Sequence, residues 1–155
     1  MKLYEKYSDI NRVCEMIREQ IIDSIPFAYA NCPKFSNPTQ LFKWLRSITH
    51  YKNDPPGYEF IQEMKTLFSH VKHRTGRVFK SGEGDCDCFV VTSIACMYVQ
   101  GWMDNFGFVL AGRLKSAPVH IYAYVVFKNK YYIFDLTQPV INKVRDYPIQ
   151  QQMKL

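Results

Sequence analysis

The stretch Gly82-Glu83-Gly84-Asp85-Cys86-Asp87-Cys88-Phe89-Val90-Val91-Thr92-Ser93-Ile94-Ala95-Cys96-Met97-Tyr98-Val99 decides how this chain folds. From Phe89 onward it is apolar on nearly every side, and a helix hydrophobic all round belongs at the centre of a domain. The run Phe89–Val99 is far shorter than the roughly 18 residues a membrane span requires. Asp85 is a natural N-cap, which sets Cys86 in the first helical position.

Upstream of this stretch the pattern is helical. Ser8 or Asp9 caps a first helix with Ile10, Val13, Cys14, Ile17 and Ile21 on one face. Pro26, Pro33 and Pro38 then break the chain into an irregular loop carrying Cys32. Thr39 opens a second helix with Leu41, Phe42, Leu45 and Ile48 facing inward. Asp54-Pro55-Pro56-Gly57 is a turn. Glu59 to His70 reads as a third helix with Phe60, Met64, Leu67 and Phe68 apolar, and Lys72 to Gly84 as a long polar loop.

Downstream, three strands are expected at Phe106–Ala111, Val119–Phe127 and Tyr131–Leu136, the last two joined by a turn at Lys128-Asn129-Lys130. The fold class is therefore α+β: N-terminal helices, a buried central helix carrying the cysteine, and a small antiparallel sheet packed on it. A chain of 155 residues makes one domain, with an N-terminal helix and loop at 1–38, a core at 39–147 and a polar tail at 148–155.

Composition sets limits on function. Hydrophobic residues at 47% and charged residues at 22% exclude a disordered tail, a coiled coil and a collagen-like rod. Met1 to Lys6 lacks the apolar core of a signal peptide, so the chain is expected to be cytoplasmic when made, with no membrane partner. The formal charge of +6 favours acidic partners. The basic residues are scattered, however, and the loose group Lys72, His73, Arg74, Arg77 and Lys80 reads as a solvated segment, so nucleic acid is not an expected partner. The five cysteines are odd in number and irregularly spaced, which points to thiols rather than a disulfide framework. Cys14 lies on the apolar stripe of the first helix and reads as core.

Cys86 stands apart. At a helix N-terminus its thiolate is favoured by the helix dipole, whereas the flanking Asp85 and Asp87 oppose it. A cationic partner is needed, and His120 at the head of a strand is the candidate. His120, Tyr122, Tyr124 and Val126 alternate onto one strand face. A two-residue hairpin loop puts Asp135 opposite Tyr122 or Tyr124, on the same face as His120. Diagonal neighbours in such a ladder lie roughly 7–8 Å apart, a gap that side chains close. Nucleophile, base and orienter in that arrangement are the parts of a thiol acyl-transfer site. On spacing alone a structural role outweighs catalysis, because most buried cysteines are inert. A metal site from Cys86 and Cys88 with His70, His73 or His120 lacks the second matched ligand pair of structural zinc, so no metal and no cofactor are expected. His50, His70 and His73 read as exposed or capping residues.

Gly84-Asp85-Cys86-Asp87, then a buried helix, His120-Ile121-Tyr122 and Phe134-Asp135-Leu136-Thr137 together resemble the transglutaminase-like superfamily of papain-type thiol enzymes. Asp54-Pro55-Pro56-Gly57-Tyr58-Glu59-Phe60-Ile61-Gln62 is similar to a segment that precedes the cysteine turn in its bacterial and phage members. The resemblance covers about Leu41 to Thr137. It implies a cysteine-bearing helix packed on an antiparallel sheet that bears the histidine and aspartate. It also implies a protein or peptide amide as substrate, with Cys86 as nucleophile, His120 as proton carrier and Asp135 as orienter. The product then follows from hydrolysis (peptidase or amidase) or transamidation.

The backbone N–H of Cys86, helped by the Gln62 side chain, is the implied oxyanion site, while the plain reading of Gln62 is an exposed polar residue on the third helix. The chain departs from the family pattern at Cys88, Tyr122 and Leu136, none of which is a triad member. Cys88 points to a different face from Cys86, and its reading as a packed small residue is favoured over a role in trapping oxidised Cys86. The substrate pocket is expected from Lys72–Glu83 and Gly112–Pro118. The alternative function is a non-catalytic scaffold of the same fold, such as a phage virion or assembly component that docks to other phage structural proteins through its aromatic surface and polar tail.

Overall fold

The computed structural model describes residues 2–5, 10–56, 58–69, 82–102 and 105–155. The expected caps Ser8 and Asp9, the basic group Lys72–Lys80, and His70 and His73 lie outside the described residues. The remaining order is β1 (Lys2–Glu5), α1 (Ile10–Asn31), α2 (Pro38–Ile48), β2 (Thr49–Tyr51), β3 (Tyr58–Ile61), α3 (Met64–Ser69), β4 (Gly82–Gly84), α4 (Cys86–Gln100), β5 (Phe106–Gly112), β6 (His120–Phe127), β7 (Lys130–Phe134) and β8 (Ile149–Lys154). The architecture is α+β: four helices, an antiparallel sheet in the order β7-β6-β5-β8, an antiparallel pair β1-β3 and a parallel pair β2-β4.

Helix α4 is the centre. Its residues are buried except Cys86, Tyr98 and Gln100, and it packs against α1 on one side and β6 on the other. Gly101, in the left-handed region with φ 88°, ends it and donates its N–H back to the Tyr98 carbonyl. The start of α4 is held by close packing. A Cβ on Gly84 would fall 2.6 Å from Leu67 Cδ1 and 2.8 Å from Cys88 Cβ, so the Gly-Glu-Gly strand lies flat beneath α3.

Four sequence expectations change. The first helix does not stop before Pro26 but runs through it to Asn31. The carbonyl that Pro26 deprives of a donor belongs to Ile22, on the exposed side of α1, where water can take the missing bond. On the opposite side Ser24 Oγ donates to the Gln20 carbonyl at 2.6 Å and accepts the Met64 N–H at 2.8 Å, tying α1 to α3. The second helix is opened by Asn37, not Thr39. Asn37 Oδ1 accepts the Gln40 N–H at 3.0 Å, and Pro38 takes the first position, where a missing N–H costs nothing.

The third helix is shorter than expected. Tyr58–Ile61 is a strand paired with β1 from Lys2↔Ile61 to Glu5↔Tyr58, and helix resumes only at Met64. Finally, the polar tail is not a tail. Ile149–Lys154 is the fourth strand of the main sheet, paired with β5 from Gly107↔Lys154 to Gly112↔Ile149. Its alternation of half-buried and exposed residues is that of an edge strand with one covered face.

The hairpin between β6 and β7 has the expected two-residue loop, Lys128 and Asn129, both at positive φ. No helix among the described residues is long and apolar enough to cross a membrane.

β8 lies so close to β5 that a Cβ on Gly107 would stand 2.1 Å from the Met153 carbonyl oxygen and 2.9 Å from the Tyr124 ring. Backbone cannot yield as a side-chain tip does. Gly107→Ala is expected to lower the unfolding free energy by about 3 kcal/mol in urea denaturation; a loss below about 1 kcal/mol would show that β8 is not held at this distance.

Candidate active site

Cys86 opens α4 and lines a cleft of about 470 Å³ together with His120. Four parts of the fold bring this about. The parallel pair β2-β4 (Thr49↔Gly82, His50↔Glu83, Tyr51↔Gly84), extended by the Lys52 N–H donated to the Gly84 carbonyl at 2.8 Å, sets Tyr51, Asn53 and Asp54 beside the helix start. β6 delivers His120 at its first residue, opposite Ala111 of β5. The β5–β6 connection contributes Ser116 to Val119 as a rim, and Val13 and Ile17 of α1 form the apolar far wall.

His120 is fixed from two sides. Its Nε2 lies 2.7 Å from Asp135 Oδ2, and both side chains are largely withdrawn from water. The Tyr147 ring stacks on the imidazole with centroids 5.6 Å apart and planes 23° from parallel. The pairing Ala123↔Phe134, continued by one residue, sets Asp135 across from Tyr122. This is one of the two registers the hairpin allowed. Asp135 is itself held. Oδ1 accepts the Thr137 N–H at 3.0 Å and the Thr137 hydroxyl at 2.7 Å. Arg46 donates to the Leu136 carbonyl at 3.3 Å, and Phe42 packs edge-on against Phe134 at 5.1 Å, so α2 clamps the end of β7.

A carboxylate only accepts hydrogen bonds, so Nε2 carries the proton shared with Asp135 and Nδ1 is the basic nitrogen of neutral His120. Burial raises the Tyr147 phenol, Arg145 partly offsets that, and the negative charges of Asp135 and a Cys86 thiolate add to it. Tyr147 therefore stands within the field of both ends of the arrangement.

The two cysteines of the turn part company as expected. Cys86 faces the cleft, whereas Cys88 is fully buried behind it. Burial pushes the Cys88 thiol well above its ordinary range, and the Asp87 and Asp85 charges push it further. Cys14 is likewise raised by burial, with Arg18 pulling the other way, in keeping with its place in the core. No disulfide joins the five cysteines, all of which are among the described residues.

Gln62 requires a correction. Because Tyr58–Ile61 is a strand, the Gln62 side chain turns inward, where its Nε2 reaches the Glu83 carbonyl at 3.4 Å and Cys88 Sγ at 3.6 Å. It is buried rather than exposed and is not among the residues lining the cleft. The side-chain amide that does line it is Asn53. Asn53 and Tyr147 carry no local signal in the sequence, because they reach the site only through a parallel strand pair and a return loop, whereas Thr137 lies in the Asp135-Leu136-Thr137 motif, two residues from the carboxylate it anchors.

Asp85 sits at the N-cap position with extended backbone but makes no side-chain cap bond. Among the described residues, carboxylate and thiol donors close enough to share an ion occur at Asp85, Asp87 and Cys88, all within 4.8 Å of one another. Cys86 and His120, considered for a metal on sequence, are not in that group. His50 is exposed on β2. Compared with family models, curated proteins and solved structures, the chain has no significant match in any of the three.

The contrast between the two cysteines is testable. Brief iodoacetamide treatment of the native protein at pH 8 is expected to modify Cys86 at least tenfold faster than Cys88 or Cys96, because the latter two are buried and hold their protons. Peptide mapping that finds Cys88 modified as fast as Cys86 would contradict this arrangement.

Proposed function

We propose that this protein is a thiol acyl-transfer enzyme of the transglutaminase-like kind, acting on amide bonds of a protein or peptide through Cys86, His120 and Asp135. The observation that carries the reading is the 2.7 Å bond from His120 Nε2 to a buried, doubly anchored Asp135, on an imidazole that shares its cleft with Cys86. A histidine placed merely for packing does not need its tautomer fixed in this way.

In this mechanism the Cys86 thiol gives its proton to His120 Nδ1, and Sγ bonds to the amide carbonyl carbon. The carbonyl oxygen takes the negative charge. The Cys86 N–H, in the first turn of α4, and the Asn53 amide supply its hydrogen bonds. Collapse breaks the carbon–nitrogen bond, and the departing amine takes the proton from Nδ1, leaving a Cys86 thioester. Water, or a second amine, then yields a proton to Nδ1 and attacks the thioester carbon. The carbon–sulfur bond breaks, the proton returns to Sγ, and an acid or a new amide is released. Asp135 accepts the Nε2 proton throughout without taking it. The Tyr147 ring keeps the imidazole in plane.

Casein-type hydrolysis and incorporation of a fluorescent alkylamine, each assayed with acid-quench mass spectrometry of the Cys86 peptide, test the reading. Cys86→Ser is expected to abolish turnover and the covalent adduct, and Asp135→Asn to lower kcat by about 10³-fold or more while the protein stays folded by circular dichroism. Turnover that survives Cys86→Ser would overturn the assignment. A non-catalytic scaffold, the alternative class, forms no adduct under any of these conditions.

A further inference from the structure

Two thiols that take no part in the cleft meet where α1 ends against α4. Cys32 follows the last turn of α1, its N–H donated to the Ala28 carbonyl at 2.8 Å, and it is 9% exposed. Cys96 lies on α4 and is fully buried. Gln100, one turn further along the same face of α4, reaches Cys32 Sγ with its Nε2 at 3.4 Å. Cys96 is thereby brought beside the same sulfur, and its thiol donates a hydrogen bond to Cys32. Cys96 Sγ also lies 3.9 Å from Met64 Sδ of α3.

The seam around the pair is closely tied. Gln100 Nε2 also donates to the Pro33 carbonyl at 2.8 Å, and Gln100 Oε1 accepts the Phe35 N–H at 2.9 Å. Lys34 Nζ donates to the Val99 carbonyl, which keeps its charge near Cys32. Residues 33–35 are thus bound to the last turn of α4, with Cys32 held at the junction.

The two thiols are unequal. The C-terminal end of a helix disfavours a negative charge, yet the bond from Cys96 holds the Cys32 thiol below its ordinary value. Burial opposes that, while Gln100 and the Lys34 charge add to it. Burial pushes the Cys96 thiol well above its ordinary value, and Cys32 beside it pushes it further. One sulfur is favoured as a thiolate near the surface, and the other keeps its proton behind it. A thiolate next to a protonated second thiol is the arrangement of a peroxide-sensitive pair. The slight exposure of Cys32 admits hydrogen peroxide, little larger than water, more readily than a bulkier alkylating reagent.

We propose that Cys32 and Cys96 are a reversible disulfide pair, closed by hydrogen peroxide and reopened by a dithiol, that fastens the end of α1 to α4. Cys32 Sγ attacks one peroxide oxygen, the O–O bond breaks, and the departing hydroxide takes a proton and leaves as water. Cys96 Sγ then attacks the Cys32 sulfenic acid. The S–O bond breaks, the S–S bond forms, and the Cys96 proton leaves with the hydroxyl as a second water. Each sulfur gives up one electron and the peroxide takes two. A dithiol returns two electrons and is itself left as a disulfide. The bond closes the chain from α2 to the start of α4 into a loop, which restricts the unfolded state. Because α1 walls the cleft and α4 opens with Cys86, it joins the two helices that frame the site, whatever chemistry that site performs.

The full chain with Cys86→Ser keeps the cleft thiol out of the test. It is treated with a small excess of hydrogen peroxide at pH 7, quenched in acid and digested without reductant. The expected product is a linked Cys32–Cys96 peptide pair, lighter by two hydrogen atoms and separated again by dithiothreitol. The linked protein is expected to melt about 5 °C or more above the reduced one. With Cys96→Ser added, dimedone is expected to trap a sulfenic acid at Cys32. Absence of the Cys32–Cys96 link, whether both thiols stay reduced or Cys32 goes on to the sulfinic acid, would overturn the pair. So would a link from either thiol to Cys14 or Cys88, or a linked protein that melts no higher than the reduced one. The mapping leaves Cys32 and Cys96 unaltered, so its result stands even if the Cys96→Ser protein does not fold.

Discussion

Helix α4 has no polar face to give to water. Apart from Cys86, Tyr98 and Gln100, every one of its residues is buried, and the rest of the fold follows from covering it. The apolar stripe of α1 closes one side, the β5–β6 hairpin another, and Leu67 of α3 presses on the glycines that lead into it. In the first two turns of α4 Cys86 alone is not buried, and it emerges at the cleft. A buried helix must begin somewhere, and its first N–H groups cannot be left without acceptors. In the proposed mechanism that beginning, placed at a cleft, serves the oxyanion.

The same constraint explains why the imidazole is so firmly held. The sheet packs on α4 through β6, so the head of β6 must arrive at the start of the helix, and His120 is the residue at that head. From there the hydrogen bonds run outward: His120 and Thr137 donate to Asp135, and Arg46 donates to the neighbouring Leu136 carbonyl. The bonds of His120 and Arg46 join residues distant in sequence, while Thr137 holds Asp135 from two residues away. A site built this way loses geometry only if the sheet itself moves.

Much of this was legible in the residues. The run Phe89–Val99, apolar but for Thr92 and Ser93, announces a central helix, and the alternation in His120–Phe127 puts His120 on one face with Tyr122 and Tyr124. The hairpin arithmetic leaves two registers for Asp135, one of which is found. What was not legible has common physical causes. Pro26 is tolerated because its freed carbonyl faces water, a fact of tertiary orientation rather than local propensity. Tyr58–Ile61 and Ile149–Lys154 become strands only because β1 and β5 offer edges to pair with, and a glutamine-rich segment carries no strand signal of its own. Gln62 was misjudged for the same reason, since its direction depends on whether the preceding residues are helix or strand. Tyr147 reaches His120 from the return loop before β8, a contact that no spacing rule foretells.

The central claim is that Cys86 and His120 act as one unit. The most direct test is the rate of Cys86 alkylation by iodoacetamide at pH 6.5, compared between the wild-type protein and a folded His120→Ala variant. The account predicts fast modification confined to Cys86 in the wild type and a fall of about tenfold or more in the variant, because the thiol then has no acceptor for its proton. Equal rates in the two proteins would show that the imidazole does not serve the thiol, and would contradict the account.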